Sequence, residues 1–197
     1  MAERQAGEPA LVVVAGPNGA GKTTFAAALA ARTGLEFVNA DEIAAERWPG
    51  EEETRAYEAA EAAASRRTEL INGRRSFIAE TVFSHRSKVD LVRSAAEAGY
   101  AVGLHAVMVP EEFAVLRVTN RVEIGGHSVP EGKVRERYRR LWALVAEATE
   151  FCEEALFYDN TSPSEPFRLV AEFRFGAAVG PASWPSWAPA EIVALST

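Results

Sequence analysis

The chain has 197 residues, 48 % hydrophobic and 25 % charged, a balance that buries a core unaided and suggests a single domain over 1–197. A single cysteine excludes an intrachain disulfide framework, and no apolar stretch reaches membrane-spanning length, so a cytoplasmic protein without a membrane partner is expected. The net charge of −7 argues against a broad nucleic-acid surface, although a short strand could still meet a basic window.

The N-terminal MAERQAGEPA has no apolar core of signal-peptide length. Leu11 to Ala15 is a short continuous apolar run, as in a strand buried on both faces. Lys22 to Arg32 reads as a helix capped by Gly34. Glu36 to Asn39 is a second strand. A helix from Asp41 stops at Pro49, and another spans Glu51 to Ile71. Ser76 to Ala79 is the third strand. Ser87 to Ala98 is helical, Ala101 to Val109 is the fourth strand, and Glu111 to Val122 is helical again. Ser128 and Glu131 fit a capping box. After it, Val134, Tyr138, Leu141, Val145, Ala148 and Cys152 form a buried stripe. Cys152 on that stripe reads as a packed thiol. Ala155 to Tyr158 is a fifth strand and Phe167 to Phe175 a sixth. The Pro- and Trp-rich tail, about 176–197, wraps the surface. Strands alternating with helices imply a mostly parallel sheet of about five or six strands, with ligands beyond the strands' carboxyl ends.

Gly16-Pro-Asn-Gly-Ala-Gly-Lys-Thr23 fits G-x-x-x-x-G-K-[ST] completely, and it follows a strand and opens a helix. Average residue frequencies put a chance match in such a chain on the order of one in a hundred. Gly16, Asn18, Gly19, Ala20 and Gly21 shape a cradle whose backbone N–H groups face phosphate oxygens, and the helix N-terminus adds positive potential. Lys22 reaches the β- and γ-phosphates, Thr23 ligates Mg²⁺, and Thr24 touches the α-phosphate. The cofactors expected are therefore ATP or GTP with Mg²⁺. No strand ends in the apolar run plus Asp-Glu of motor ATPases. That favours a small kinase acting on a hydroxyl.

A kinase needs a carboxylate at its acceptor and cations over the moving phosphoryl group. Asp41, after the second strand, either serves the acceptor hydroxyl or caps a helix. Glu80 and Thr81 follow the third strand. Glu80 holds Mg²⁺ through water or binds the acceptor, and Thr81 binds the acceptor or a phosphate. Ser84 is a helix-cap candidate. Residues 117–140 carry seven basic against three acidic residues, a local +4 that leaves −11 elsewhere. Arg117 and Arg121 share one helix face and lead into Gly125-Gly126, as a lid would. Arg135 and Arg139 share another face. Arg137 and Arg140 read as solvated. His127 contacts phosphate or shapes the loop. Asn160, after the fifth strand, stands where such kinases contact adenine. Trp184 and Trp187 either stack on a base or pack the tail.

AGPNGAGKTTF, FVNADEIA, FIAET and RVEIGGHSVPEGKVRERYRRL together resemble the zeta toxin-like P-loop kinases, in their chromosomal ATPase-like branch, over about residues 10 to 160. The resemblance implies a P-loop NTPase fold, a three-layer α/β/α sandwich. It also implies transfer of the γ-phosphate from ATP or GTP to a hydroxyl of UDP-N-acetylglucosamine, with an antitoxin as protein partner. It assigns Asp41 as catalytic base, Glu80 and Thr81 to the acceptor site, and Arg121, with Arg135 or Arg139, to the lid. Members of that family usually place a glycine between the Glu and the Thr, which are adjacent here. A nucleotide-operated switch acting through a protein partner is the alternative function.

Overall fold

A computed structural model describes residues 8–123 and 129–196, with backbone only for 121–123. The elements run β1 (Ala10–Ala15), α1 (Lys22–Thr33), β2 (Glu36–Val38), α2 (Ala40–Arg47), α3 (Ala56–Asn72), β3 (Phe77–Thr81), α4 (Ser87–Glu97) and β4 (Ala101–Met108). They continue with α5 (Glu111–Glu123), α6 (Glu131–Ala148), β5 (Glu154–Asp159), β6 (Arg168–Arg174), β7 (Ala177–Ala178) and α7 (Ala190–Val193). One sheet of order β2-β3-β1-β4-β5-β6-β7 results. Its first five strands are parallel, and β6 and β7 are antiparallel additions. This is a P-loop kinase-like α/β fold, with helices flanking the sheet.

Every residue of β1 is buried, because helices cover both faces of a parallel sheet. Leu11, Val13 and Val14 are wholly buried beside Ile78 and Leu104 of the flanking strands. Helix α6 buries Val134, Tyr138, Leu141, Trp142, Val145 and Ala148, the apolar stripe with Trp142 added. Cys152 lies just beyond in the same core, its thiol pushed up to about 12 by burial, which keeps it protonated and inert.

Most element ends shift by one or two residues from the sequence reading, β3 running on through Glu80 and Thr81 rather than stopping at Ala79, and three departures are larger. Helix α3 starts at Ala56 rather than Glu51, because Pro49-Gly50 turns the chain with Gly50 at φ 87°. Helix α6 starts at Glu131 with Pro130 as N-cap. Ser128, half of the expected capping box, lies outside the described residues, and the Glu131 carboxylate accepts instead from Arg135 one turn on, at 2.8 Å. The sheet has seven strands because Phe175 and Gly176, at φ 47° and 75°, form a two-residue reversal that folds Ala177 back onto Arg174. The tail then returns to the core. Trp184 packs edge-on to Phe157 at 5.3 Å between ring centroids, and Ile192 is fully buried. Trp184 is thus a packing residue rather than a base-stacking platform.

Candidate active site

The segment between β1 and α1 is shaped by two glycines. Gly16, at φ 148°, lies so close to β4 that a Cβ there would sit 2.2 Å from the Val107 carbonyl oxygen. Gly21, at φ 93°, is the N-cap of α1 and offers no side-chain cap. The first N–H groups of α1 are therefore left for a ligand. Lys22 is 7 % exposed. Its ammonium donates to the Pro17 carbonyl at 3.0 Å and lies 3.8 Å from Glu80. Asn18 Oδ1 is buried without a hydrogen-bond partner. With its amide turned over, the same position would present a donor to a phosphate oxygen.

Two residues brace this loop. Asn160 donates from Nδ2 to the Ala20 carbonyl at 2.8 Å and accepts from Phe167 N at 3.3 Å. Arg117 donates to the Gly19 carbonyl at 3.4 Å and to the Asn160 carbonyl at 3.0 Å. The adenine contact expected of Asn160 gives way to this bracing role, because both ends of its amide are engaged. Sequence spacing held no signal for the brace, since 140 residues separate Asn160 from Ala20.

Strand β3 lies directly beside β1, with Glu80 opposite Val14 and Thr81 opposite Ala15. This register carries Glu80 to the mouth of the cradle. Its Oε1 accepts from Thr23 Oγ1 at 3.1 Å, and its Oε2 accepts from Asn39 Nδ2 at 2.6 Å. Burial raises the Glu80 carboxyl above its ordinary value, with Lys22 and Thr23 pulling it back and Asp41 and Glu42 pushing it up. A hydroxyl and a carboxylate at hydrogen-bond distance on one wall are a hard-oxygen pair of the kind Mg²⁺ takes alongside substrate phosphates. These residues fit the ion.

Asp41 lines the same cavity. It does not cap α2. Asn39 does, its side chain accepting from Asp41 N at 2.7 Å. The Asp41 carboxylate is thereby free for the cavity, in the first turn of α2. Thr81 Oγ1 accepts from Phe83 N at 3.1 Å, across a turn in which buried Phe83 takes φ 62°. Ser84 lines the cavity rather than capping α4, whose N-cap is Arg86.

The cavity has a volume of about 510 Å³. Gly19, Gly21, Lys22, Thr23 and Thr24 form one end, and Asp41, Glu80, Thr81 and Arg117 also line it. Arg135 and Arg139 do not. Arg135 is held by Glu112 at 2.6 Å and 2.9 Å and by Glu131, and Arg139 joins Glu111 at 3.4 Å. Glutamates of α5 thus tie both arginines to the outside. Arg137, read from sequence as solvated, does line the cavity, with Arg67 of α3 and Lys88 of α4. Neither Arg67 nor Lys88 stands in a recognisable motif. The Arg121 side chain, Gly125, Gly126 and His127 fall outside the described residues.

A family model described as an AAA domain matches residues 11–156. The chain belongs to that family. No curated protein matches the sequence. Among solved structures, a sugar kinase from Janibacter sp. HTCC2649 is 27 % identical, with a TM-score of 0.54 over 80 % of this chain and 88 % of that one. The PezAT chromosomal toxin–antitoxin system of Streptococcus pneumoniae gives a TM-score of 0.61 at 15 % identity, covering 80 % of this chain and 70 % of that one. The AvrRxo1-ORF1:-ORF2 structure with ATP gives 0.56 at 19 % identity, covering 87 % and 60 %. The last two show a shared fold. With the sugar kinase, they place the chain among P-loop kinase-like proteins.

Proposed function

We propose that this protein is an ATP-dependent phosphotransferase that moves the γ-phosphoryl group to a hydroxyl of a small molecule. The observation that carries this is one cavity holding two kinds of wall. The phosphate cradle with Lys22, Thr23 and Glu80 forms one side, and the Asp41 carboxylate, released from capping by Asn39, faces the same space. A nucleotide switch has no use for the second wall. The similarity to a sugar kinase supports the reading.

In the proposed reaction the acceptor oxygen bonds to the γ-phosphorus as the bond to the β–γ bridging oxygen breaks. The hydroxyl proton passes to Asp41 Oδ, and the nucleoside diphosphate leaves. Lys22 leaves Pro17 O to follow the β- and γ-oxygens. Mg²⁺, held by Thr23 and Glu80, supplies charge neutralisation when bound. Thr81 orients the acceptor. Arg117 fixes the cradle, and Arg121 is the proposed lid cation. ATP or GTP serves as donor. UDP-N-acetylglucosamine is a candidate acceptor, with an antitoxin as a candidate protein partner.

The test is transfer from γ-labelled ATP with Mg²⁺ to a panel of sugars, sugar phosphates and UDP-N-acetylglucosamine, for wild type and Asp41→Asn. A labelled acceptor, reduced on the order of 10²- to 10⁴-fold in the variant, is expected. Label released only as free phosphate, equally by both proteins, sinks the proposal and favours the switch.

A further inference from the structure

Arg67 is 93 % removed from solvent, being 7 % exposed, yet it sits on the cavity wall. Its neighbour on α3 shows what a satisfied arginine looks like here. Arg66 holds Glu36 through two bonds, at 2.6 Å and 2.9 Å, and Glu69 at 2.7 Å. No such bond or ion pair joins Arg67 to a carboxylate among the described residues. Lys88, half-buried on α4, lines the same wall, also without a carboxylate partner among the described residues. The two cations are close enough to repel. Burial and the Arg67 charge both push the Lys88 ammonium down, and burial pushes Arg67 down. Half-buried Arg137 adds a third positive charge to the lining.

Burying an unpaired charge is costly, and placing two beside each other costs more. Such an arrangement is retained where a ligand supplies the missing charge. The phosphate tail of the nucleotide already has its own partners in the cradle, Lys22 and the α1 N-terminus. Arg67 comes from α3, between Asp41 and Glu80 in the chain, and Lys88 from α4, just after Glu80, so both lie on elements flanking the two carboxylates rather than in the cradle. A single carboxylate would leave one of the two charges uncompensated. A phosphate dianion matches both, and a guanidinium fork suits its oxygens.

We propose that Arg67 and Lys88 form a second phosphate subsite, which holds a phosphate group carried by the acceptor while its hydroxyl faces Asp41. The acceptor class is then a phosphorylated small molecule, either a monoester or the diphosphate of a nucleotide. This rests on the kinase reading, because it makes the cavity's second wall an acceptor wall.

The test is calorimetric titration in two stages. Wild type is first loaded with Mg²⁺ and the non-hydrolysable analogue AMPPNP, and failure of that loading counts against the kinase reading. Inorganic phosphate is then titrated into the loaded protein. One further phosphate site is expected, weakened at least tenfold in Lys88→Gln and also in Arg67→Lys, which keeps the charge but loses the fork. Acetate is expected to bind at least tenfold more weakly than phosphate. Lys88→Gln removes one of two repelling charges, so the ligand-free variant should match or exceed the wild-type unfolding midpoint, and this is checked alongside. Competition by glycerol 3-phosphate or by UDP identifies which source carries the group. Absence of a second phosphate site, equal binding in Lys88→Gln, equal binding of acetate, or competition by neither compound overturns the proposal.

Discussion

Thr23 and Glu80, from the first turn of α1 and the end of β3, are joined by a hydrogen bond of 3.1 Å across 57 residues of sequence. Parallel pairing of β1 with β3 makes this possible, since Val14 stands opposite Glu80. The carboxylate thus reads as a metal-side residue more than an acceptor-side one. Glu80→Gln is expected to keep the bonds to Thr23 and Asn39 while lowering Mg²⁺-nucleotide turnover about 10- to 100-fold. Burial raises the Glu80 carboxyl from 4.5, so the ligand-free fold retains a proton that the unfolded chain has released. Its share of stability is present below 4.5 and is lost as pH rises through the folded value. Urea unfolding of the ligand-free proteins should show Glu80→Gln gaining on wild type as pH rises from 4.5 through the folded value. Unchanged turnover, or parallel stability curves, would contradict this.

Asn160 braces the cradle through Ala20 and Phe167. Asn160→Ala removes the donor to one and the acceptor for the other, stranding polar backbone groups at a part-buried site. A loss of about 1–3 kcal/mol is expected by chemical denaturation. Nucleotide affinity should fall as well, because Gly21 packs against the Asn160 amide. An adenine-contacting role would instead lower affinity for ATP with no change in stability.

The cradle was legible from sequence because its chemistry is local. Glycine spacing, a lysine and a threonine fall within eight residues between a strand and a helix. Asp41 and Glu80 were legible as strand-end carboxylates, but their division of labour was not. It depends on which strand lies beside β1 and on Asn39 taking the cap. The basic window misled for a related reason. Helical spacing groups Arg135 with Arg139, yet the facing α5 glutamates decide which side is neutralised. Arg67 and Lys88 were missed altogether, since each is an ordinary residue of an Ala/Glu/Arg-rich or mixed helix until tertiary packing buries it.

That regrouping of the arginines has a kinetic consequence. Arg135 is committed to Glu111, Glu112 and Glu131, whereas Arg137 lines the cavity. Arg135→Gln is expected to leave phosphate transfer within about twofold of wild type, since exposed pairs contribute little. Arg137→Gln should raise KM for the acceptor by roughly tenfold, the loss of one charge-assisted contact. Steady-state kinetics on the two variants in parallel would reverse the assignment if Arg135→Gln were the impaired one.

Half-buried His105 on β4 is expected to weaken the fold as pH falls. Its Nδ1 lies 3.1 Å from the Tyr158 hydroxyl, its ring stacks on Tyr158 with centroids 5.8 Å apart, and Phe25 packs at 5.3 Å. Burial pushes it down from 6.5 to about 4. The fold therefore keeps the ring neutral in a range where the unfolded chain takes up a proton. Stability from this residue is complete above pH 6.5 and is lost as pH falls toward 4. The difference corresponds to an upper bound of roughly 3–4 kcal/mol at 1.36 kcal/mol per pH unit. His105→Gln can keep a hydrogen bond to Tyr158 and does not titrate, so it should lose less stability than wild type over that interval. Urea midpoints measured at pH 7 and pH 4.5 for both proteins test this. Equal losses would show that His105 is protonated without penalty in the fold.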